Sequence, residues 1–225
     1  MHLSRIELNP RSREARRDLA QPYELHRTLA HAFPTPAGQD YRAAHGVLFR
    51  VEPAGAPGAR PTVLVQSATV PAWDALPASY LLTSTCKELV PALTTEQVLS
   101  FRLVANPTKK VAREGRRQGN RVPLFDAGGD DEITPARHWL RRKAELSGFE
   151  VLHVLSESLH LTTTRAPGTS SHQTKQQLPL YGVRFDGLLR VRNPQLLTEA
   201  LRQGIGPAKA FGFGLLSLAR TAAIL

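Results

Sequence analysis

Apolar positions in the first hundred residues alternate between two periods. Leu3 to Leu8 alternates as a half-buried strand and stops at Asn9-Pro10. Arg11 to Asp18 shows no apolar face and reads as a charged connector. Pro22 suits a first helical turn, and Leu25, Leu29, Ala32 and Phe33 recur at helical spacing over Tyr23 to Phe33, ahead of Pro34 and Pro36. Val47, Phe49 and Val51 alternate in a second strand, the PAGAPGARP segment is a loop, and Thr62 to Thr69 is a third strand. Residues 70–97 are rich in Pro, Ala and Thr and accommodate at most a short, poorly patterned helix. Val98 to Ala105 is a fourth strand, ended by Asn106-Pro107. The order β-α-β-β-(α)-β is the split βαβ pattern of a ferredoxin-like domain.

The second half repeats the theme. After the Thr108–Arg121 segment, Val122 to Phe125 is expected to re-enter the core, and Thr134-Pro135 signals a helix over Ala136 to Ser147. Phe149 to Leu155 is strand-like, Leu159 to Leu180 is expected to fold as a long hairpin around a polar loop, and Val183 to Val191 alternates cleanly. Asn193-Pro194 caps a last helix, Leu196 to Gln203, which stops at Gly204. Leu215, Leu216 and Leu218 read as a final buried strand. The expected architecture is α+β, with tandem ferredoxin-like (RRM-like) domains and antiparallel sheets. It divides into residues 1–107, a basic connector at 108–131, and residues 132–225.

Composition narrows the partners. A 225-residue chain with 41% apolar residues builds a proper core. Its formal net charge of +10 makes a polyanion the leading partner, nucleic acid first and an anionic membrane second. Six of the cations, Lys109, Lys110, Arg113, Arg116, Arg117 and Arg121, stand in one segment offset only by Glu114. That segment has no interleaved aromatics for stacking single-stranded bases, so phosphate contact along a folded duplex fits it better. The alternative is a solvated loop. Cys86 is the only cysteine, which excludes an internal disulfide and a cysteine-rich zinc site. No signal peptide or membrane span is expected, and the implied compartment is the cytoplasm.

Gly204, Gly206, Gly212 and Gly214 fall within eleven residues of GIGPAKAFGFGLLSL. At 16 glycines in 225 residues, fewer than one is expected in such a window. With Lys209 as its single charge, the loop suggests a main-chain cradle for phosphate, or alternatively a tight connection packed on the sheet. It fits neither the dinucleotide fingerprint nor the Walker pattern. Gly128-Gly129-Asp130-Asp131-Glu132 resembles a two-metal polymerase turn, yet it stands before a helix start, where acidic residues suit the helix dipole. The eight histidines form no compact metal cluster. Among them, His26 stands one helical turn after Tyr23, a spacing that sets the side chains together and suits proton transfer at a phosphodiester without a metal.

With these residues in place, the chain resembles the CasE family, the endoribonucleases that process CRISPR repeats in the type I-E Cascade complex and belong to the RAMP superfamily. The resemblance runs through MHLSRIELNP, PYELHRTLAHAF, VLVQS, FRLVANPTKK, NRVPL and HWLRRK and closes on QGIGPAKAFGFGLLSLA. It implies metal-independent cleavage of CRISPR precursor RNA at the base of each repeat stem-loop, followed by retention on the 3′ hairpin of the guide RNA as a Cascade subunit. No cofactor and no metal are implied. By matching position Tyr23 and His26 form the catalytic pair, and His31 occupies a place where some members carry lysine. The 159–180 hairpin, with Arg165, His172 and Lys175, is expected to enter the RNA groove, and Lys209 to touch phosphate. In-line attack by the adjacent 2′-hydroxyl needs a base on that hydroxyl and an acid on the 5′-oxygen. This reading makes His26 most simply the acid, with Tyr23 orienting or deprotonating the 2′-hydroxyl. Two other classes remain open: a RAMP-type subunit that holds guide RNA without cutting it, and an enzyme acting on a phosphorylated metabolite.

Overall fold

A computed structural model describes residues 1–35, 39–53, 55–111, 120–124, 134–165 and 176–221. The first sheet contains β1 (His2–Leu8), β2 (Leu48–Val51), β3 (Thr62–Ser67) and β4 (Leu81–Glu88) in the order β2-β3-β1-β4, with every pair antiparallel. Helices α1 (Arg13–Ala20), α2 (Pro22–Ala30) and the single turn α3 (Tyr41–Ala44) fill the crossover between β1 and β2. The second sheet contains β5 (Val98–Ala105), β8 (Phe149–Arg165), β9 (Gln176–Val191) and β10 (Leu216–Arg220) in the order β10-β5-β9-β8. Between β5 and β8 run a two-stranded hairpin, β6 (Thr108–Val111) with β7 (Asn120–Pro123), and helix α4 (Pro135–Leu146). Helix α5 (Pro194–Gln203) lies between β9 and β10. In both sheets the fourth strand pairs with the first, the first with the third and the third with the second, so the molecule is two ferredoxin-like units in tandem.

Several elements differ from the pattern expected from sequence. Arg11 to Asp18 is largely helix α1, begun by the Ser12 side chain accepting the Ala15 amide at 3.2 Å. Its inward face is Ala15 and Asp18, and the Asp18 carboxylate accepts the Tyr80 hydroxyl at 2.8 Å in the core. A helix that buries an aspartate leaves little hydrophobic stripe to see. Residues 70–97 hold, besides a short 3-10 turn at Trp73–Ala75, the whole of β4. This strand lies at the sheet edge with nearly every residue exposed, so it lacks apolar alternation. The fourth-strand role expected for Val98–Ala105 therefore belongs to β4. Val98–Ala105 instead opens the second sheet, pairing with β9 and β10, so the sheets change between Glu88 and Val98 rather than at residue 107. The separate strands and hairpin expected over 149–191 merge into two long strands, β8 and β9, with one register shift between Val151 and His153. Val122 does not enter the core but is exposed on β7, and Leu124 packs partly buried on the second core.

Each unit has its own core. Ile6, Leu25, Leu29, Phe33, Phe49 and Tyr80 fill the first. Phe101, Trp139, Phe149, Phe185, Leu189 and Leu197 fill the second. The units meet along β2. Arg50 is 3% exposed and donates to the Leu215 carbonyl at 3.1 Å, the Arg102 carbonyl at 3.3 Å and Ser217 Oγ at 3.0 Å, while Glu52 neutralises it at 2.7 Å. Gln66 Nε2 donates to the Leu201 carbonyl at 2.5 Å. A buried guanidinium satisfied at this many points fixes the two units in one orientation. Among the described residues no helix is long and apolar enough to cross a membrane.

Candidate active site

Helix α2 is the centre of the site. Pro22 occupies its first turn, where the missing amide costs nothing, and Leu25, Thr28 and Leu29 face the core. That anchoring turns Tyr23 and His26, at i and i+3, onto the half-exposed side, with ring centroids 6.2 Å apart. The helix ends at Ala30, short of the expected Phe33, so His31 is its C-cap residue. It is exposed, five positions past His26, and no hydrogen bond or ring contact is found between it and the pair. The structure brings Tyr23 and His26 together and leaves His31 outside.

The partner of His26 is Tyr41, on the short helix α3. The Tyr41 hydroxyl lies 2.8 Å from His26 Nδ1 and 2.7 Å from the His26 carbonyl oxygen. The two rings are 5.0 Å apart, and Tyr41 stacks on Phe33 at 6.0 Å. Asp40 starts α3 by accepting the Arg42 amide at 3.0 Å. Burial lowers the His26 pKa from the ordinary imidazole range; Asp40 pulls the other way, and the Arg42 cation adds a still smaller lowering. The neutral imidazole is therefore favoured at pH 7. Burial, before all else, raises the Tyr41 pKa, so its hydroxyl keeps its proton.

The glycine loop reaches this site from the second unit, but not as a bare phosphate cradle. Its four glycines all have positive φ, between 74° and 94°. A Cβ on Gly204 would lie 2.8 Å from Leu48 and 2.9 Å from the Gly214 carbonyl, and one on Gly214 would lie 3.0 Å from the Ile205 carbonyl. Gly206 and Gly212 press against Trp139 and Phe49. The amides of Gly204, Ile205, Phe211, Gly212 and Gly214 donate to carbonyls of Ala200, Gly214, Ala208, Lys209 and Val104. Those five N–H groups are engaged internally, as the alternative of a tight connection packed on the sheet requires, and are not free to cradle a phosphate. The tight packing instead delivers two side chains. Phe211, on the 3-10 turn Lys209–Phe211, sets its ring 6.3 Å from Tyr23. Lys209 is half-buried there, and its pKa is lowered first by burial and then by the charges of Arg42 and Lys143. Three cations from three elements thus come within electrostatic reach at Lys209. Arg42 is paired with Asp40 at 3.4 Å, whereas among the described residues no ion pair is found for Lys209 or Lys143. Sequence reading placed Lys209 in the site but missed Arg42 and Lys143, which join it only through the packing of α3 and α4.

A cleft of about 240 Å³ runs beside α2, walled by Pro22, Leu25, Phe211, Leu159, Leu161 and Arg184. Leu159 of β8 also lines a second, smaller cavity together with Leu124 and Pro107 at the foot of the β6–β7 hairpin. Lys109 and Lys110 are exposed on β6, and Lys110 stands opposite Arg121, also exposed, on β7. Arg113, Arg116 and Arg117 lie outside the described residues, as do Lys175, His172 and the Asp130-Asp131 pair. Arg165 ends β8, its backbone opposite Gln176. Among the described residues no group of three or more His, Cys, Asp or Glu is placed to hold a metal ion.

The fold and site together define a tandem ferredoxin-like α+β protein with a Tyr–His helix beside a glycine-rich loop and a basic hairpin. The model of the CRISPR associated protein family matches residues 1–220, and the chain belongs to that family. It is 36% identical over 228 residues to the CRISPR-associated endoribonuclease Cse3 of Thermus thermophilus, covering 97% of this chain and 100% of that one. It is 35% identical to the CRISPR system Cascade subunit CasE of Escherichia coli, covering 97% and 99%. A solved structure of the CRISPR endoribonuclease Cse3 bound to 19-nt RNA superposes with a TM-score of 0.81 at 36% identity, covering 97% of this chain and 100% of that one.

Proposed function

We propose that this protein is a metal-independent endoribonuclease that cleaves CRISPR precursor RNA at the base of the repeat stem-loop and stays on the crRNA 3′ hairpin as a Cascade subunit in the cytoplasm. The observation that carries this reading is the Tyr23–His26 pair on α2, with His26 held by the Tyr41 hydroxyl and lying within reach of the Arg42 cation, to which Lys209 is also coupled. The Cse3 and CasE relatives support it by their named roles.

The lowered His26 pKa supports the polarity opposite to the one expected from sequence. A neutral imidazole has a lone pair to accept a proton, so His26 is the base on the 2′-hydroxyl. A phenol carries a proton to give, and Tyr23 supplies it to the departing 5′-oxygen. The 2′-oxygen attacks phosphorus in line, the P–O5′ bond breaks, and the products are a 2′,3′-cyclic phosphate and a 5′-hydroxyl. Proton exchange with solvent then resets His26 and Tyr23. Arg42, with Lys209 in reach of it, offsets the charge that grows on the non-bridging oxygens. Each acid–base contribution is worth about 10²–10⁴ in rate. The stem is read by shape and phosphates, since the deep major groove of A-form RNA is closed to side chains. The test is to replace the ribose just 5′ of the cut by deoxyribose. Cleavage is expected to vanish while the hairpin still binds. Continued cutting would make water the nucleophile and overturn the mechanism.

A further inference from the structure

We infer that Tyr41 is a positioning residue for the reaction: it locks neutral His26 in the Nδ1–H tautomer, leaving Nε2 as the atom that moves the proton. The inference rests on the reading of His26 as the proton-transfer residue. It follows from counting hydrogens. The Tyr41 hydroxyl lies 2.7 Å from the His26 carbonyl oxygen and 2.8 Å from Nδ1, and it owns one proton. The carbonyl can only accept. If the phenol donated to Nδ1, two oxygens bearing only lone pairs would face each other at 2.7 Å. The phenol therefore donates to the carbonyl, and Nδ1 must carry a hydrogen and donate it to the phenolic oxygen.

Two consequences bear on catalysis. Nε2 holds the lone pair in the neutral ring, so the base is defined to a single atom. Protonation at Nε2 leaves both Tyr41 hydrogen bonds intact, so nothing in the site rearranges as the charge appears. The lock is itself fixed: Tyr41 is 8% exposed, stacked on Phe33, and placed by the Asp40 cap of α3. It joins two segments fifteen residues apart, tying the helix that bears the chemistry to the segment that bears Arg42.

The test is a two-bond ¹H–¹⁵N correlation spectrum of the ¹⁵N-histidine-labelled protein without RNA, with the His26 signals assigned by their loss in His26→Asn. Neutral His26 is expected to show a protonated Nδ1 and a bare Nε2. In Tyr41→Phe it is expected to shift toward the Nε2–H form, which neutral imidazole prefers in water. The same variant is expected to cleave a repeat stem-loop about tenfold or more slowly, with hairpin affinity unchanged within a few-fold. A wild-type spectrum showing Nε2–H would overturn the inference, even if the variant failed to fold. So would an unshifted tautomer in a folded Tyr41→Phe. Failure of the wild-type protein to cut RNA would strike the proposed function instead and leave the tautomer standing.

Discussion

Burial is what gives His26 its character. The side chain is half-buried against Tyr41, and the cost of charging it there outweighs the pull of Asp40. The sign of the pH dependence follows. A base acts when unprotonated, so kcat/KM is expected to rise with pH through the pKa of free His26 and then level off. That midpoint lies below the ordinary imidazole value of 6.5. A rate that instead falls as pH rises through neutrality would restore His26 to the acid role. His26→Ala should lower the rate by at least about 10²-fold and remove this limb. A variant with the wild-type rate and profile would take His26 out of the mechanism. Tyr23 and His26 were legible in the sequence because i, i+3 spacing on a helix dictates adjacency. Tyr41 was not, because its tie to His26 runs through a one-turn helix whose four residues show no period.

At the scale of elements, periodicity succeeded where a face is apolar and failed where it is not. Strands β1, β3 and β5 and helices α2, α4 and α5 stand where alternation, caps and prolines placed them, within a few residues. Edge strand β4 and helix α1 were invisible for opposite reasons. One buries almost nothing, and the other buries a charge satisfied by Tyr80. The basic segment was expected as a connector, and its described ends form the β6–β7 hairpin, with Lys109 and Lys110 on an exposed strand. A two-stranded platform holds cations in register better than a loop does. Replacing Lys109 and Lys110 together by Ala is expected to weaken hairpin binding and to flatten the plot of log Kobs against log salt by about one unit per lost phosphate contact. An unchanged slope would place the RNA away from this hairpin.

For the whole molecule, the decisive feature is that both sheets follow one strand order and are clamped together at Arg50. That clamp explains the glycine loop. Gly204 must be glycine because its φ is +74° and the Gly214 carbonyl lies 2.9 Å from where a Cβ would stand, with Leu48 of the other unit at 2.8 Å, and the loop then carries Phe211 to Tyr23 and Lys209 toward Arg42. The tandem architecture was legible from repeated motifs, but the allocation of strands was not. A βαββαβ string reads equally well with β4 unseen and β5 in its place, and only pairing partners separate the two. In the proposed mechanism the site is a product of both units: Tyr23, His26 and Arg42 come from the first, Lys209 and the Phe211 ring from the second. The most direct measurement incubates the purified protein with a CRISPR repeat stem-loop RNA in excess EDTA and identifies the product ends. The account predicts one cut at the base of the stem, leaving a 2′,3′-cyclic phosphate and a 5′-hydroxyl. Cleavage that requires added magnesium would contradict it, and hairpin binding without any cleavage would make the protein a guide-RNA holder rather than a nuclease.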